Sequence, residues 1–128
     1  MKEMRLYSCP VCGNLMLTLE DGGVVPECCG SEMVQIYPNT VDASAEKHVP
    51  VAEREGDTLR VRVGSAPHPM AEEHSILWIA VLSERGAQMK RLSPGDEPEV
   101  VFAFTKADLP RTAYAYCNLH GLWKSDIS

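Results

Sequence analysis

Nine side chains of this sequence are cysteine thiols or imidazoles, the groups that most often hold zinc, iron or copper: five cysteines, Cys9, Cys12, Cys28, Cys29 and Cys117, and four histidines, His48, His68, His74 and His120. Four of the thiols fall within the first thirty residues, whereas Cys117 stands near the C-terminal end among the histidines. That segregation predicts two separate sites. Cys9-Pro10-Val11-Cys12-Gly13 is a Cys-x-x-Cys knuckle, in which two thiolates reach one ion, turn N–H groups face the sulfurs, and glycine accepts the positive φ of the turn. Cys28 and Cys29 have no spacer, so a site completed by them is expected to be distorted. Four thiolates select zinc or iron. A structural zinc staple, an iron centre and a redox-active vicinal pair all remain open on spacing alone.

The histidines fall in short clusters: Glu46-Lys47-His48-Val49-Pro50, His68-Pro69-Met70, Glu73-His74, and Cys117-Asn118-Leu119-His120. A lone histidine in a β domain is more often a satisfied core or surface residue than a ligand. Here three of them neighbour proline or turn residues, and the fourth lies three residues from the one remaining cysteine, within reach of a shared ion. Imidazoles with a single thiolate suit iron or copper. A blue-copper site uses two histidines and would leave two without a role. Glu72 and Glu73 are near enough in sequence to meet a histidine, but no role is assigned to them.

The elements that must carry these residues are short strands. Leu15–Leu19 reads as a strand, Asp21-Gly22-Gly23 as a turn, and Val24-Val25 as a return strand bringing Cys28 and Cys29 back to the knuckle. Residues 1–37 make a unit too small for much core, of the kind a bound metal staples. Residues 38–128 form the second domain, entered through the polar stretch Tyr37–Ala45. Leu59–Val63 alternates with period two, and Ile76–Leu82 is apolar on both faces; Val100–Phe104 and Ala113–Tyr116 are shorter runs of the same type. Turn signals separate them, so an all-β sandwich is predicted, with Tyr114, Tyr116, Trp78 and Trp123 in its packing and Trp123 near the site. Loops at one end of a sandwich converge, so residues far apart in sequence can share one ion.

The chain has 128 residues, 45% of them hydrophobic and 23% charged, enough for a buried core. No apolar run reaches the roughly 18 residues of a membrane span, and no signal peptide is visible, so a cytoplasmic address is expected. An odd number of cysteines also fits disulfide pairing badly. A net charge of −6 argues against nucleic-acid binding and means that an anionic substrate needs a local positive charge to draw it in.

Taken together, the Cys-x-x-Cys and Cys-Cys pairs, Glu46-Lys47-His48-Val49-Pro50, His68-Pro69-Met70, Glu73-His74-Ser75-Ile76-Leu77-Trp78-Ile79 and Cys117-Asn118-Leu119-His120-Gly121-Leu122-Trp123 strongly resemble desulfoferrodoxin, the two-iron type of superoxide reductase. The likeness runs from Cys9 to Lys124 and uses every cysteine and histidine. It implies a rubredoxin- or desulforedoxin-like module binding iron through Cys9, Cys12, Cys28 and Cys29, then an immunoglobulin-like β-sandwich. There the second iron takes His48, His68, His74 and His120 in its equatorial plane and Cys117 on its axis. The sixth position is open or filled by solvent in the ferrous state and taken by Glu46 in the ferric resting state, with Lys47 beside it. The resemblance further implies one-electron reduction of superoxide to hydrogen peroxide without oxygen evolution, a small donor such as rubredoxin, and a homodimer. Three other readings stay open at this stage: a plain electron carrier, a zinc module fused to a β-sandwich adaptor, and a dismutase.

Overall fold

Short strands joined by turns make up nearly all the regular structure in the computed structural model, which describes residues 2–128. The chain divides into two units, Met1–Tyr37 and Pro38–Ser128. In the first, β1 (Arg5–Ser8) lies between β2 (Leu15–Thr18) and the later β5 (Val34–Ile36), all antiparallel. A two-residue ribbon, β3 (Glu27–Cys28) with β4 (Ser31–Glu32), carries the second cysteine pair. One buried cluster joins Tyr7, Cys9 and Met33 with Cys28 against it, so two of the four thiols are themselves part of the core, while Cys12 and Cys29 are exposed.

The return strand expected at Val24-Val25 is absent. Val24 is exposed, and β5 takes the place beside β1 instead. Asp21 explains the difference: its carboxylate accepts the Gly23 N–H at 2.8 Å and the Arg5 guanidinium at 2.6 Å, which holds this segment as a turn. Pro26 then restricts the residue before it and offers no N–H to a ladder.

The second unit opens with a single helical turn, α1 (Ala45–His48), and continues as β6 (Pro50–Glu55), β7 (Thr58–Val63), β8 (Ile76–Ser83), β9 (Ala87–Arg91), β10 (Glu99–Ala103), β11 (Pro110–Cys117) and β12 (Gly121–Asp126). These form two antiparallel sheets, ordered β10-β7-β6 and β12-β11-β8-β9. Leu59, Val61 and Val63 point inward from β7 while Arg60 and Arg62 point out, as the period-two pattern requires. The core adds Phe102, Phe104, Ile79 and Val81, and from β11 it takes Ala113, Ala115 and Cys117. Tyr114 and Tyr116, read from sequence as sandwich packing, therefore lie on the opposite face of β11. There the Tyr116 ring stacks on Trp78, its cross-strand partner, with centroids 5.5 Å apart and planes 7° from parallel. The small residues of β11 leave the interior to the phenylalanines and the branched aliphatics.

Side chains also tie the two sheets together at their edges. Lys90 Nζ and Gln88 Nε2 on β9 donate to the Val101 and Ala103 carbonyls of β10 at 2.8 and 2.9 Å, and Ser125 Oγ on β12 donates to the Pro50 carbonyl of β6. Such bonds occupy backbone acceptors that an edge would otherwise offer to another chain. The all-β class, a small cysteine-bearing unit followed along the chain by a sandwich, matches expectation. Among the described residues no helix is long and apolar enough to cross a membrane.

The strand registers decide where the ligands go. Pro50 pairs with Val63, so the start of β6, just after His48, and the end of β7, just before His68, share one end of their sheet. Cys117 pairs with both Ile76 and Gly121, which places the entry to β8, just after His74, beside the β11–β12 turn that holds His120. The loop after β7 is pressed against α1. The Ala66 N–H and the Ser65 hydroxyl both donate to the Glu46 carbonyl, at 2.9 and 3.2 Å. A side chain at Gly64 would bring its Cβ to 2.6 Å from that same oxygen and 2.9 Å from the Val49 carbonyl, both backbone atoms. Gly64→Ala is expected to destabilise the second unit by about 1–3 kcal/mol in urea unfolding, the usual cost of overpacking. Gly86→Ala, where a Cβ meets nothing within 4 Å, should stay within about 0.5 kcal/mol of the parent.

Candidate metal centres

The knuckle of the first unit is built as its sequence dictates. Gly13 takes φ +79° and donates to the Cys9 carbonyl, and the N–H groups of Val11 and Cys12 both reach Cys9 Sγ at 3.4 Å. The Cys12 N–H, more than any other contact, lowers the Cys9 thiol to about 6, so a thiolate is available at neutral pH. The adjacent pair converges because Cys29 itself adopts φ +53° and Gly30 follows at φ +74°. A left-handed non-glycine residue is the local distortion that neighbouring ligands require. Cys12 Sγ and Cys28 Sγ are 3.6 Å apart, Cys28 Sγ and Cys29 Sγ 3.9 Å, and all four sulfurs lie within 4.8 Å of one another. Hydrogen bonding to Cys12 and then to Cys28 and Cys9 pushes the Cys29 thiol up to about 12. Four such sulfurs do not ionise together unless a cation sits among them, and that is the chemistry of a tetrathiolate metal site.

At the end of the sandwich the second group forms: His48, His68, His74, His120 and Cys117 each bring one donor atom within 4.8 Å of every other. The imidazoles follow one another around a ring. His48 to His68, His68 to His74, His74 to His120 and His120 to His48 have centroids 4.6, 4.6, 5.0 and 4.9 Å apart, each pair crossing at 79–84°. His48 and His74 face each other across it at 6.3 Å. Four imidazoles ordered in a ring, with successive planes nearly perpendicular and their donor atoms within 4.8 Å of one another, suit the equatorial plane of an ion with more than four ligands.

The tautomers follow from the second layer. His48 Nδ1 lies 2.7 Å from the Ser44 carbonyl and His68 Nδ1 2.6 Å from the Pro69 carbonyl, and a carbonyl can only accept. Both Nδ1 atoms therefore carry the proton, which leaves lone pairs on the Nε2 atoms. Those lone pairs point at one another: His48 Nε2 is 3.2 Å from His68 Nε2 and 3.0 Å from His120 Nδ1. His74 Nε2 is buried with no hydrogen-bond partner. The two Nε2 acceptors of His48 and His68, 3.2 Å apart without a hydrogen between them, fit a shared cation. Cys117, wholly buried in the sandwich core, offers its sulfur from the protein side, 3.9 Å from His120 Nδ1. His74 and His120 are only half-buried, so the donor set opens toward solvent on their side.

Glu46 and Lys47 are both exposed on α1, immediately before buried His48. Sequence reading placed this segment in a loop; a single helical turn, with His48 bonded back to Ser44, sets its geometry instead. The residues that orient the histidines were not legible in the sequence, because Ser44 and Pro69 act through backbone carbonyls. Neither Glu72 nor Glu73 supplies a carboxylate to a histidine among the described residues. Trp123 does line the site: its ring packs 4.9 Å from His48 and its indole N–H donates to the His120 carbonyl at 3.0 Å.

Burial lowers the His68 imidazole to about 4 and lowers His48 as well; the charges of His120, His74 and Lys47 add to the effect at His48, and the Ser44 carbonyl opposes it. His48 and His68 are thus neutral at physiological pH, ready to bind metal without first losing a proton. In the unfolded chain these histidines titrate near their ordinary value of about 6.5. Between about 6.5 and 4 the unfolded metal-free state therefore holds more protons than the folded one, so stability is full above this window and declines as pH falls through it. Urea midpoints of the metal-free protein should drop across this range, and a flat profile would contradict buried neutral imidazoles.

Comparison with known proteins agrees with this architecture. The Desulfoferrodoxin family matches residues 40–126. A desulfoferrodoxin of Syntrophotalea carbinolica is 44% identical over 125 residues, covering 98% of each chain. A superoxide reductase of Pyrococcus abyssi is 39% identical and covers 67% of this chain and 90% of its own. The crystal structure of the superoxide reductase from Treponema pallidum superposes with a TM-score of 0.81 at 36% identity, covering 96% of this chain and 98% of that one. The tetrathiolate group and the group of four imidazoles with one thiol fit the two iron sites of such a protein, and the chain belongs to the desulfoferrodoxin family.

Proposed function

We propose that this protein is a superoxide reductase: superoxide, one electron and two protons give hydrogen peroxide, at the histidine-rich centre of residues 38–128. The observation that carries the reading is the ring of four imidazoles with a buried thiol on the protein side and a half-exposed rim. Iron held by His48, His68, His74, His120 and Cys117 supplies the reducing electron and a position at which a small anion can bind. The zinc-adaptor and plain-carrier readings have no use for a five-donor set open on one side. Residues 1–37 form the desulforedoxin-like module, in which Cys9, Cys12, Cys28 and Cys29 hold a second iron.

Lys47 and Glu46 do the work of this chain around the rim. The molecule carries a net charge of −6, so its mean field repels superoxide. The Lys47 ammonium, exposed one residue before buried His48, provides local attraction and holds water as a proton source for the forming peroxide. The Glu46 carboxylate on the same turn closes the opening once product has left. Neutral imidazoles leave the centre with net positive charge that the Cys117 thiolate offsets only in part, which favours an incoming anion. The electron donor in this reading is a small rubredoxin-like protein. Homodimerisation matches the exposed apolar side chains of the first unit, Leu19, Val24 and Val34. Five cysteines with no disulfide among them suit a reducing, cytoplasmic compartment.

Purified aerobically, the protein should contain about two irons per chain and show separate sulfur-to-ferric absorption bands from the two centres; a colourless zinc protein contradicts the proposal. In pulse radiolysis, Lys47→Ala is expected to lower the second-order rate with superoxide about tenfold and to flatten its dependence on salt, because steering is a screened charge effect. An unchanged rate and salt slope would remove Lys47 from the mechanism. Oxygen evolution from superoxide without added reductant would identify a dismutase instead.

A further inference from the structure

Three of the four imidazoles have an evident source of orientation. His48 and His68 each bond through Nδ1 to a backbone carbonyl, and His120 sits in the tight turn between β11 and β12, its own carbonyl held by the Trp123 indole. His74 is different. Its Nε2 is buried and unpaired, and among the described residues no hydrogen bond reaches its ring. Its orientation must come through the backbone on either side, and there a single side chain intervenes.

That side chain is Asn118. Its Oδ1 accepts the Ser75 N–H at 3.0 Å and its Nδ2 donates to the Glu73 carbonyl at 3.1 Å. Its own backbone N–H donates to the Ser75 carbonyl at 3.2 Å. Three hydrogen bonds from one residue thus grip the positions immediately before and after His74. Asn118 itself stands between Cys117 and His120, the sulfur ligand and another nitrogen ligand. A carboxamide can accept from an N–H and donate to a carbonyl at the same time, through two atoms set apart on one rigid group. The Ala71–His74 backbone pair closes the other side of the same loop, at 3.0 and 3.2 Å.

We infer that Asn118 is a positioning residue that locks the His74 loop to the Cys117–His120 turn, so that these three donors of the second centre hold one geometry. The inference rests on the metal-binding reading of this centre. Asn118 lies at the surface, where water can replace its bonds, so removing the carboxamide should leave the sandwich folded while loosening the register between two ligand-bearing loops. Groups in this layer around a metal site commonly change affinity by about ten- to a hundredfold when removed.

The test uses the iron-loaded protein and its variants Asn118→Ala and Asn118→Asp. It follows iron transfer from the histidine-rich centre to a chelator and the sulfur-to-ferric band of that centre, with the tetrathiolate chromophore as an internal reference. Asn118→Ala should release iron from the second centre about tenfold faster or more and shift its band, with the first centre unchanged. Asn118→Asp keeps the acceptor for the Ser75 N–H but loses the donor to the Glu73 carbonyl. Its added negative charge alone would retain a cation, so faster release, by about threefold or more, reports the lost grip. If Asn118→Ala is not recovered folded, the aspartate variant decides. Release within twofold of the parent and an unmoved band in the folded variants, or equal losses at both centres, overturns the inference. A parent protein with no iron at the second centre overturns the metal-binding reading itself.

Discussion

Lone pairs that face one another at hydrogen-bond distance, with no hydrogen to share, are the constraint on which the rest of this molecule turns. His48 Nε2 is held 3.2 Å from His68 Nε2 and 3.0 Å from His120 Nδ1, and the His48 and His68 rings have their protons committed to carbonyls behind them. Such an arrangement is repulsive by itself and becomes favourable when a cation occupies the point of convergence. Protonation of His48 or His68 cannot relieve it cheaply, since burial depresses both imidazoles. The protein therefore stores, in a folded sandwich, a donor set prepared for metal and poorly suited to protons.

Maintaining that set falls to the sandwich rather than to any single element. The ligands come from four places in the sequence, and antiparallel register brings these places to one end. Cys117 belongs at once to the core and to the site, so packing of Leu59, Phe102 and Ile79 around β11 also fixes the sulfur. The exposed turn α1 contributes the opposite character: a buried histidine at its end and two charged side chains in solvent. A single short element thus joins a buried ligand to exposed charge. In the first unit the balance is reversed, because a core as small as Met4, Leu6, Tyr7, Cys9 and Met33 leaves the thiols as a large share of what holds it together.

Backbone groups do much of the fine positioning. Carbonyls of Ser44 and Pro69 choose the histidine tautomers, the Glu46 carbonyl is trapped by Ser65 and Ala66, and Asn118 binds backbone on both sides of His74. This explains why several of these contacts were invisible beforehand: a carbonyl acceptor has no residue type, so no motif announces it. The misplaced return strand at Val24-Val25 has a similar origin. Its apolar pair resembled a strand locally, but Asp21, bonded to Gly23 and Arg5, made a turn of the segment, and β5 supplied the missing partner of β1. The strands β6, β9 and β12 escaped notice because their exposed faces are polar and their apolar runs are short.

Ligand identity was written in the sequence, since its cysteines and histidines cluster in short motifs and all nine of them enter the two groups. The alternation in Leu59–Val63 and the doubly apolar Ile76–Leu82 likewise gave the sandwich, because strand periodicity is a local property of the chain. Tertiary structure alone decided the ring order of the imidazoles, which nitrogen of His48 and of His68 keeps its lone pair, which side of the site opens to water, and that Ala113 and Ala115 of β11 join the sandwich core while Tyr114, equally buried, lies on the other face of the strand. Those outcomes depend on register between strands distant in sequence and on bonds to backbone atoms that every residue type possesses. Residue type sets what a site is made of; long-range pairing sets how it is aimed.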